Sequence, residues 1–137
     1  MRIARFNVKK VLFVCVENAG RSQMAEAFAK KYGKDKLIAS SAGNKPADRV
    51  NPVVVEVMKE KGIDISMNKP KLLTYNMTQE SDLIITMGCN DRGICPGPFF
   101  KPTIDWKIDD PKGKSIEKVR EIRDEIERRV QTLIDER

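Results

Sequence analysis

Histidine is absent from this 137-residue chain, and that one gap removes several chemistries. Ser-His-Asp and Cys-His catalysis are excluded. A transition-metal site would lack its commonest ligand, so no metal is expected. Cysteine is scarce, with three residues, and an odd count argues against a structural disulfide framework. Cys89 and Cys95 are spaced more widely than the C-x2-4-C pairs of zinc sites. No apolar run approaches membrane-spanning length. The N-terminus, MRIARFNVKKVLFVCVENAG, sets basic residues ahead of an apolar stretch. That stretch runs only from Val11 to Val16 before Glu17 and Asn18, too short for a secretory signal. A cytoplasmic protein without a membrane segment is expected.

What is present is a globular composition, 40% hydrophobic and 34% charged, sized for one domain over residues 1–137. The net charge of +6 fits a Lys-rich solvated surface, or a field that draws small anions or an acidic partner. Nucleic-acid binding is not expected, because the basic residues are scattered among acids and no reading motif occurs.

An unbroken Val/Leu/Phe/Val run predicts a buried strand over residues 8–16, as in a parallel sheet covered on both faces. Ser22 to Tyr32 follows as a helix, with Met24, Ala25, Phe28 and Ala29 on one side and Gly33 as its stop. A short strand is expected at Leu37 to Ser41, closed by Gly43. NPVVVEVMKEKG reads as a second helix, with Asn51 as N-cap, Pro52 in the first turn and Gly62 beyond its end. DLIITM, residues 82–87, is another buried strand; a Gly/Cys/Pro-rich loop spans 88–102, and TIDW is a short fourth strand. The last helix, Ser115 to Asp135, carries Ile116, Val119, Ile122, Ile126, Val130 and Leu133 at three- and four-residue steps, a stripe to pack on the sheet. This order predicts a doubly wound α/β sandwich around a small parallel sheet of four strands. Such sheets bind ligands beyond the carboxyl ends of their strands, where the chain order reverses.

The loop CVENAGR follows the first strand, where that rule places a site. A tight loop feeding a helix turns successive N–H groups inward as a nest for an oxyanion, and the small Ala19 and Gly20 allow close approach. Arg21 offers a planar fork for two oxygens of a tetrahedral anion. Cys15 would sit beneath the central atom, where inward N–H groups favour the reactive thiolate form. Ser22 would donate a hydrogen bond to the sulfur, and Asn18 would brace the loop. A cysteine ending a buried strand is otherwise an ordinary core residue. The strand before, the helix after and the neighbouring Arg-Ser favour the anion site. Cys89 and Cys95 are either incidental thiols or a pair that a flexible loop can join.

VLFVCVENAGRSQMAEAFA resembles the phosphate-binding loop of the low-molecular-weight protein tyrosine phosphatase superfamily, and AGRSQMAEAF is most similar to its arsenate reductase branch. SAGNKP, VNPVVVEVMKEKGIDIS, SDLIITMG, the cysteine-bearing loop and DDPKGKS with the final helix resemble arsenate reductase segments in the same order. The resemblance implies the low-molecular-weight phosphatase fold, a flavodoxin-like α/β arrangement, and a reductase that turns arsenate into arsenite without a cofactor. Cys15 would be the nucleophile, and Val16, Glu17, Asn18, Ala19, Gly20, Arg21 and Ser22 would hold the oxyanion. Cys89 and Cys95 match a pair found in thioredoxin-linked reductases and missing from ordinary phosphatases; they would form a relay disulfide recycled by thioredoxin or a related thiol reductant. Asp110, directly before Pro111, matches the aspartate that serves the phosphatases as general acid, with Asp109 its adjacent competitor. A monomer is expected.

Six positions depart from the family pattern. Glu17 stands where the phosphatases usually have glycine, and Gly20 where they often have a second loop cysteine. Lys71 replaces an acidic residue that some reductases use beside a bound monovalent cation, so that site is not carried over. Lys112, Gly113 and Lys114 follow Pro111 in place of paired tyrosines, which argues against protein phosphotyrosine as substrate. A phosphatase acting on monoesters through a phosphocysteine is the alternative reading, and a phosphocarrier is disfavoured by Arg21.

Overall fold

The computed structural model describes residues 9–88 and 101–136. Four parallel strands form one sheet: β1 (Lys9–Cys15), β2 (Leu37–Gly43), β3 (Leu83–Thr86) and β4 (Thr103–Asp105), in the spatial order β2-β1-β3-β4. Helices α1 (Arg21–Tyr32), α2 (Pro52–Lys59), α3 (Tyr75–Glu80) and α4 (Ile116–Asp135) connect and flank it. The fold class read from the sequence is therefore the one found. The chain leaves β1 toward β2, then crosses back to β3 on the other side of β1. That reversal places the crevice of a doubly wound sheet at the carboxyl ends of β1 and β3.

β1 explains why its sequence lacks alternation. Val11, Phe13 and Cys15 face a core shared with Met24 and Phe28 of α1, Val54 and Met58 of α2, and Ile126 and Val130 of α4. Leu12 and Val14 face the other side with Ala42 and Ile84, covered by Leu73 and by Met77 of α3. From Val11 to Cys15 both faces are dry, so every position there is apolar. Each such side chain, fully buried, contributes roughly 1.5–3 kcal/mol. Trp106, the only tryptophan, packs its ring 5.8 Å from that of Phe13 just beyond β4.

The caps follow local chemistry. Asn51 Oδ1 accepts from Val53 N at 2.9 Å ahead of Pro52, and Ser115 Oγ accepts from Lys118 N at 3.2 Å. Gly33 does close α1, but at φ −116°, outside the left-handed region. Space is the reason for glycine there: a Cβ would lie 2.9 Å from Ala29 O and 3.0 Å from Ile134 Cδ1. β2 runs two residues further than Ser41, to Gly43, where the chain meets Leu72. α4 packs along α1 and against α2. Its inner edge is tied by Arg123, which donates from Nη1 to Val57 O at 3.0 Å and to Glu60 Oε1 at 2.7 Å.

The helix α3 was not expected from the sequence. No helix among the described residues is long and apolar enough to cross a membrane. Cys89, Cys95 and most of the loop expected at 88–102 lie outside the described residues.

Candidate active site

Cys15 ends β1 with 3% of its surface exposed, and the loop 16–20 turns back over it into α1. Its sulfur receives two hydrogen bonds, one from Asn18 N at 3.2 Å and one shared with Ser22 Oγ at 2.8 Å. The direction of the second follows from its neighbours. Asn18 Oδ1 accepts from Lys71 N at 2.9 Å and Gln23 Nε2 at 3.1 Å, which turns the Asn18 amide nitrogen toward Ser22 Oγ at 2.7 Å. Ser22 Oγ thus accepts from Asn18, and its own hydrogen is left for the sulfur. Asn18 holds this position at φ +52°, a conformation asparagine tolerates better than most residues.

The loop carbonyls are all committed away from the cavity. Val16 O accepts from Lys45 N, Glu17 O from Ala47 N, and Ala19 O from Asn51 N, each at 2.9–3.0 Å. Asn18 O accepts from Gln23 Nε2, and Gly20 O from Met24 N inside α1. Hydrogen bonds within the described residues engage none of the N–H groups of Glu17, Ala19, Gly20, Arg21 or Ser22. With the N-terminus of α1 among them, these donors form a concave positive rim over Cys15. The strap from Lys45 to Asn51, which turns the carbonyls outward, was invisible in the sequence, because its bonds pair residues about thirty apart.

Arg21 is 5% exposed and fixed by its own bonds. Nη1 donates to Met87 O at 2.6 Å and to Ile108 O at 2.9 Å, so the ends of β3 and of the segment after β4 aim it. Among the described residues Nε and Nη2 donate no hydrogen bond, and Asp110 Oδ2 lies 3.8 Å from Nη2 as an ion-pair partner. Asp110 lines the same cavity as Cys15, of about 240 Å³, and Pro111 packs so closely on Gly20 that a Cβ there would lie 2.9 Å from Pro111 Cγ. Asp109 instead faces α4, 3.3 Å from Lys118 Nζ. Glu17 lines the same cavity, and its carboxylate pairs with Lys112 Nζ at 2.9 Å. Lys71 Nζ lies 3.7 Å from the buried Glu26, which also accepts from Ser41 Oγ at 2.5 Å. Among the described residues no cluster of acidic or thiol side chains suits a metal ion.

Cys15, Arg21, Ser22 and Asp110 are thus brought together by the sheet, while Cys89 and Cys95 fall outside the described residues. The residue before them is fixed: Gly88 N donates to Asp105 Oδ1 at 2.8 Å, and a Cβ on Gly88 would sit 3.3 Å from Arg21 Nη1.

Residues 10–137 match the low molecular weight phosphotyrosine protein phosphatase family. The chain belongs to this family. Among its relatives, the arsenate reductase of Halalkalibacterium halodurans is 39% identical over 136 residues, covering 94% of this chain and 97% of that protein. A solved arsenate reductase in the phosphate binding state superposes with a TM-score of 0.84 at 37% identity, covering 93% of this chain and 98% of the other. The thioredoxin-dependent arsenate reductase of Corynebacterium glutamicum gives a TM-score of 0.78 at 40% identity, over 94% of this chain and 61% of that one.

Proposed function

We propose that this protein is an arsenate reductase that works through a Cys15 thiolate and a disulfide relay. The reading is carried by one arrangement: a sulfur with two donors on it, beneath unengaged loop N–H groups and the unspent face of Arg21. The identity to arsenate reductases along almost the whole chain supplies the substrate.

Arsenate rests in the nest, and the Cys15 thiolate attacks its arsenic. Asp110, beside Arg21, protonates the departing oxygen, which leaves as water. Cys89 then attacks the Cys15 sulfur. The sulfur–arsenic bond breaks with its electron pair going to arsenic, so As(V) leaves as As(III) arsenite and a Cys15–Cys89 disulfide remains. Cys95 attacks the Cys89 sulfur, freeing Cys15 and moving the disulfide to Cys89–Cys95. Thioredoxin or a related dithiol supplies the two electrons that reopen it, in keeping with the thioredoxin-dependent relative from Corynebacterium glutamicum. A disulfide that a thiol reductant must reopen in every cycle suits a reducing compartment, so the cytoplasm is its proposed location.

A second reading has a specific observation behind it. Asp110 lines the Cys15 cavity, so the same site is equipped to hydrolyse a phosphate monoester through phosphocysteine, as the family description implies.

The test is arsenate-dependent NADPH oxidation with thioredoxin and its reductase, run beside hydrolysis of an aryl phosphate. Cys89→Ser is expected to abolish the first and leave the second largely intact. Reduction that survives Cys89→Ser refutes the relay.

A further inference from the structure

The Cys15 loop carries a carboxylate, Glu17, which opposes the purpose of an anion site. Its backbone is held by Ala47, and its side chain, 39% exposed, lines the cavity wall. Lys112 reaches it from the turn after Asp110, 95 residues further along the chain, and closes an ion pair at 2.9 Å. The Lys112 N–H also donates to Asp110 Oδ1 at 3.0 Å, so the lysine stands on the same turn as that aspartate. The charged lining of the cavity is then Arg21, Arg49 and Lys112 against Glu17 and Asp110. Without Lys112 the balance of these five side chains falls from net positive to neutral, before the Cys15 thiolate is counted, and Glu17 is left without its partner at the cavity.

We propose that Lys112 determines anion affinity by cancelling Glu17: the pair lets a loop containing a carboxylate accept a doubly charged oxyanion. An exposed pair of this kind adds little to folding, so its role lies in the field at the cavity. The inference rests on the reading of the Cys15 loop as an oxyanion site.

The experiment measures inorganic phosphate binding to the reduced protein as protection of Cys15 from iodoacetamide, resolved by mass spectrometry of the Cys15 peptide. Lys112→Ala is expected to weaken binding roughly five- to tenfold at low salt, a change that shrinks as ionic strength rises. Lys112→Arg should keep the affinity of the parent protein, and Lys112→Ala with Glu17→Gln should restore most of it. If Lys112 contacted the anion directly, Lys112→Ala would weaken binding as much in the Glu17→Gln background as in the parent, and that result overturns the proposal. So does a Lys112→Ala affinity within twofold of the parent. Failure of the parent protein to bind phosphate overturns the oxyanion-site reading as well, which separates the two failures.

Discussion

Replacing Gly43 with alanine should damage the chemistry more than the fold. Gly43 is the last residue of β2, and its backbone lies directly against the loop that carries the nucleophile. An added Cβ would stand 2.5 Å from Val16 O, 2.9 Å from Asn18 N and 3.0 Å from Cys15 O. Ordinary contact begins near 3.4 Å, so about 0.9 Å must be found at the closest of these. All three neighbours are backbone, and none can swing aside as a side-chain end would. Val16 O is pinned to Lys45 N at 2.9 Å, and Asn18 N is pinned to the sulfur itself. The relief therefore has to come from moving the loop. Overpacking of this kind costs about 1–3 kcal/mol of stability. A misplacement near 1 Å at a reacting group costs about 100-fold in rate. The expected outcome is a Gly43→Ala protein that folds, with urea unfolding followed by Trp106 fluorescence displaced by that amount. Its kcat/KM for aryl phosphate hydrolysis should fall about 100-fold. That substrate serves because both readings of the site need Cys15. A kcat/KM within twofold of the parent would refute the argument that β2 sets the loop geometry.

Asn18→Gly keeps the left-handed backbone but strands Lys71 N and removes the donor to Ser22 Oγ; urea unfolding should show a loss of about 1–3 kcal/mol, and Asn18→Ala a larger one because its φ of +52° disfavours alanine. Arg21→Lys preserves the charge but leaves the carbonyls of Met87 and Ile108 without their shared donor, and steady-state assays should show kcat/KM down by about 100-fold or more. Glu60 is held at a pKa of about 2, against an ordinary 4.5, by hydrogen bonds from Arg120 and Arg123. A lowered carboxyl stabilises the fold above its unfolded value and loses that contribution as pH falls. The Tm difference between the parent and Glu60→Gln should therefore be steady above about pH 5 and close between about 4.5 and 2.

How much of this was legible in the sequence depended on how local each determinant is. β1 and β3 announce themselves because both faces are buried, so apolar runs are continuous. α2 and α4 carry their caps, Asn51 and Ser115, in adjacent residues. α3 was missed because YNMTQE is six residues long with only Thr78 buried, and its cap comes from Thr74 with no apolar stripe to mark it. Gly33 was found, but its reason lies in the Ile134 side chain, a hundred residues away, which no local rule reaches. The site divides along the same line. Cys15, Asn18, Arg21 and Ser22 fall within one strand–loop–helix unit, and their geometry follows from it. The strap at Lys45–Asn51 and the Lys112 partner of Glu17 depend on where β2 and the segment after β4 end, and topology alone decides that.

The topology also bears on how Cys15, buried to 3% exposure, would serve as the proposed nucleophile. Burial normally marks a thiol as core, and Cys15 does share a hydrophobic cluster with Phe13 and Met24. Its sulfur, though, sits where β1 stops and the loop begins, so its packed side is apolar while Asn18 N and Ser22 Oγ contact it from the loop and α1. Arg21 opens α1 and is itself held by the carbonyls of Met87 and Ile108. Gly88 continues from Met87 at φ +98°, with the space for a Cβ taken by Ile108 backbone at 3.0 Å and by Arg21 Nη1 at 3.3 Å. The chain thus leaves the described residues toward Cys89 from a point fixed beside the Arg21 guanidinium. The proposed relay of thiols needs its second sulfur to start close to the first, and the switch point of the sheet is where the ends of β1 and β3 come together in this fold.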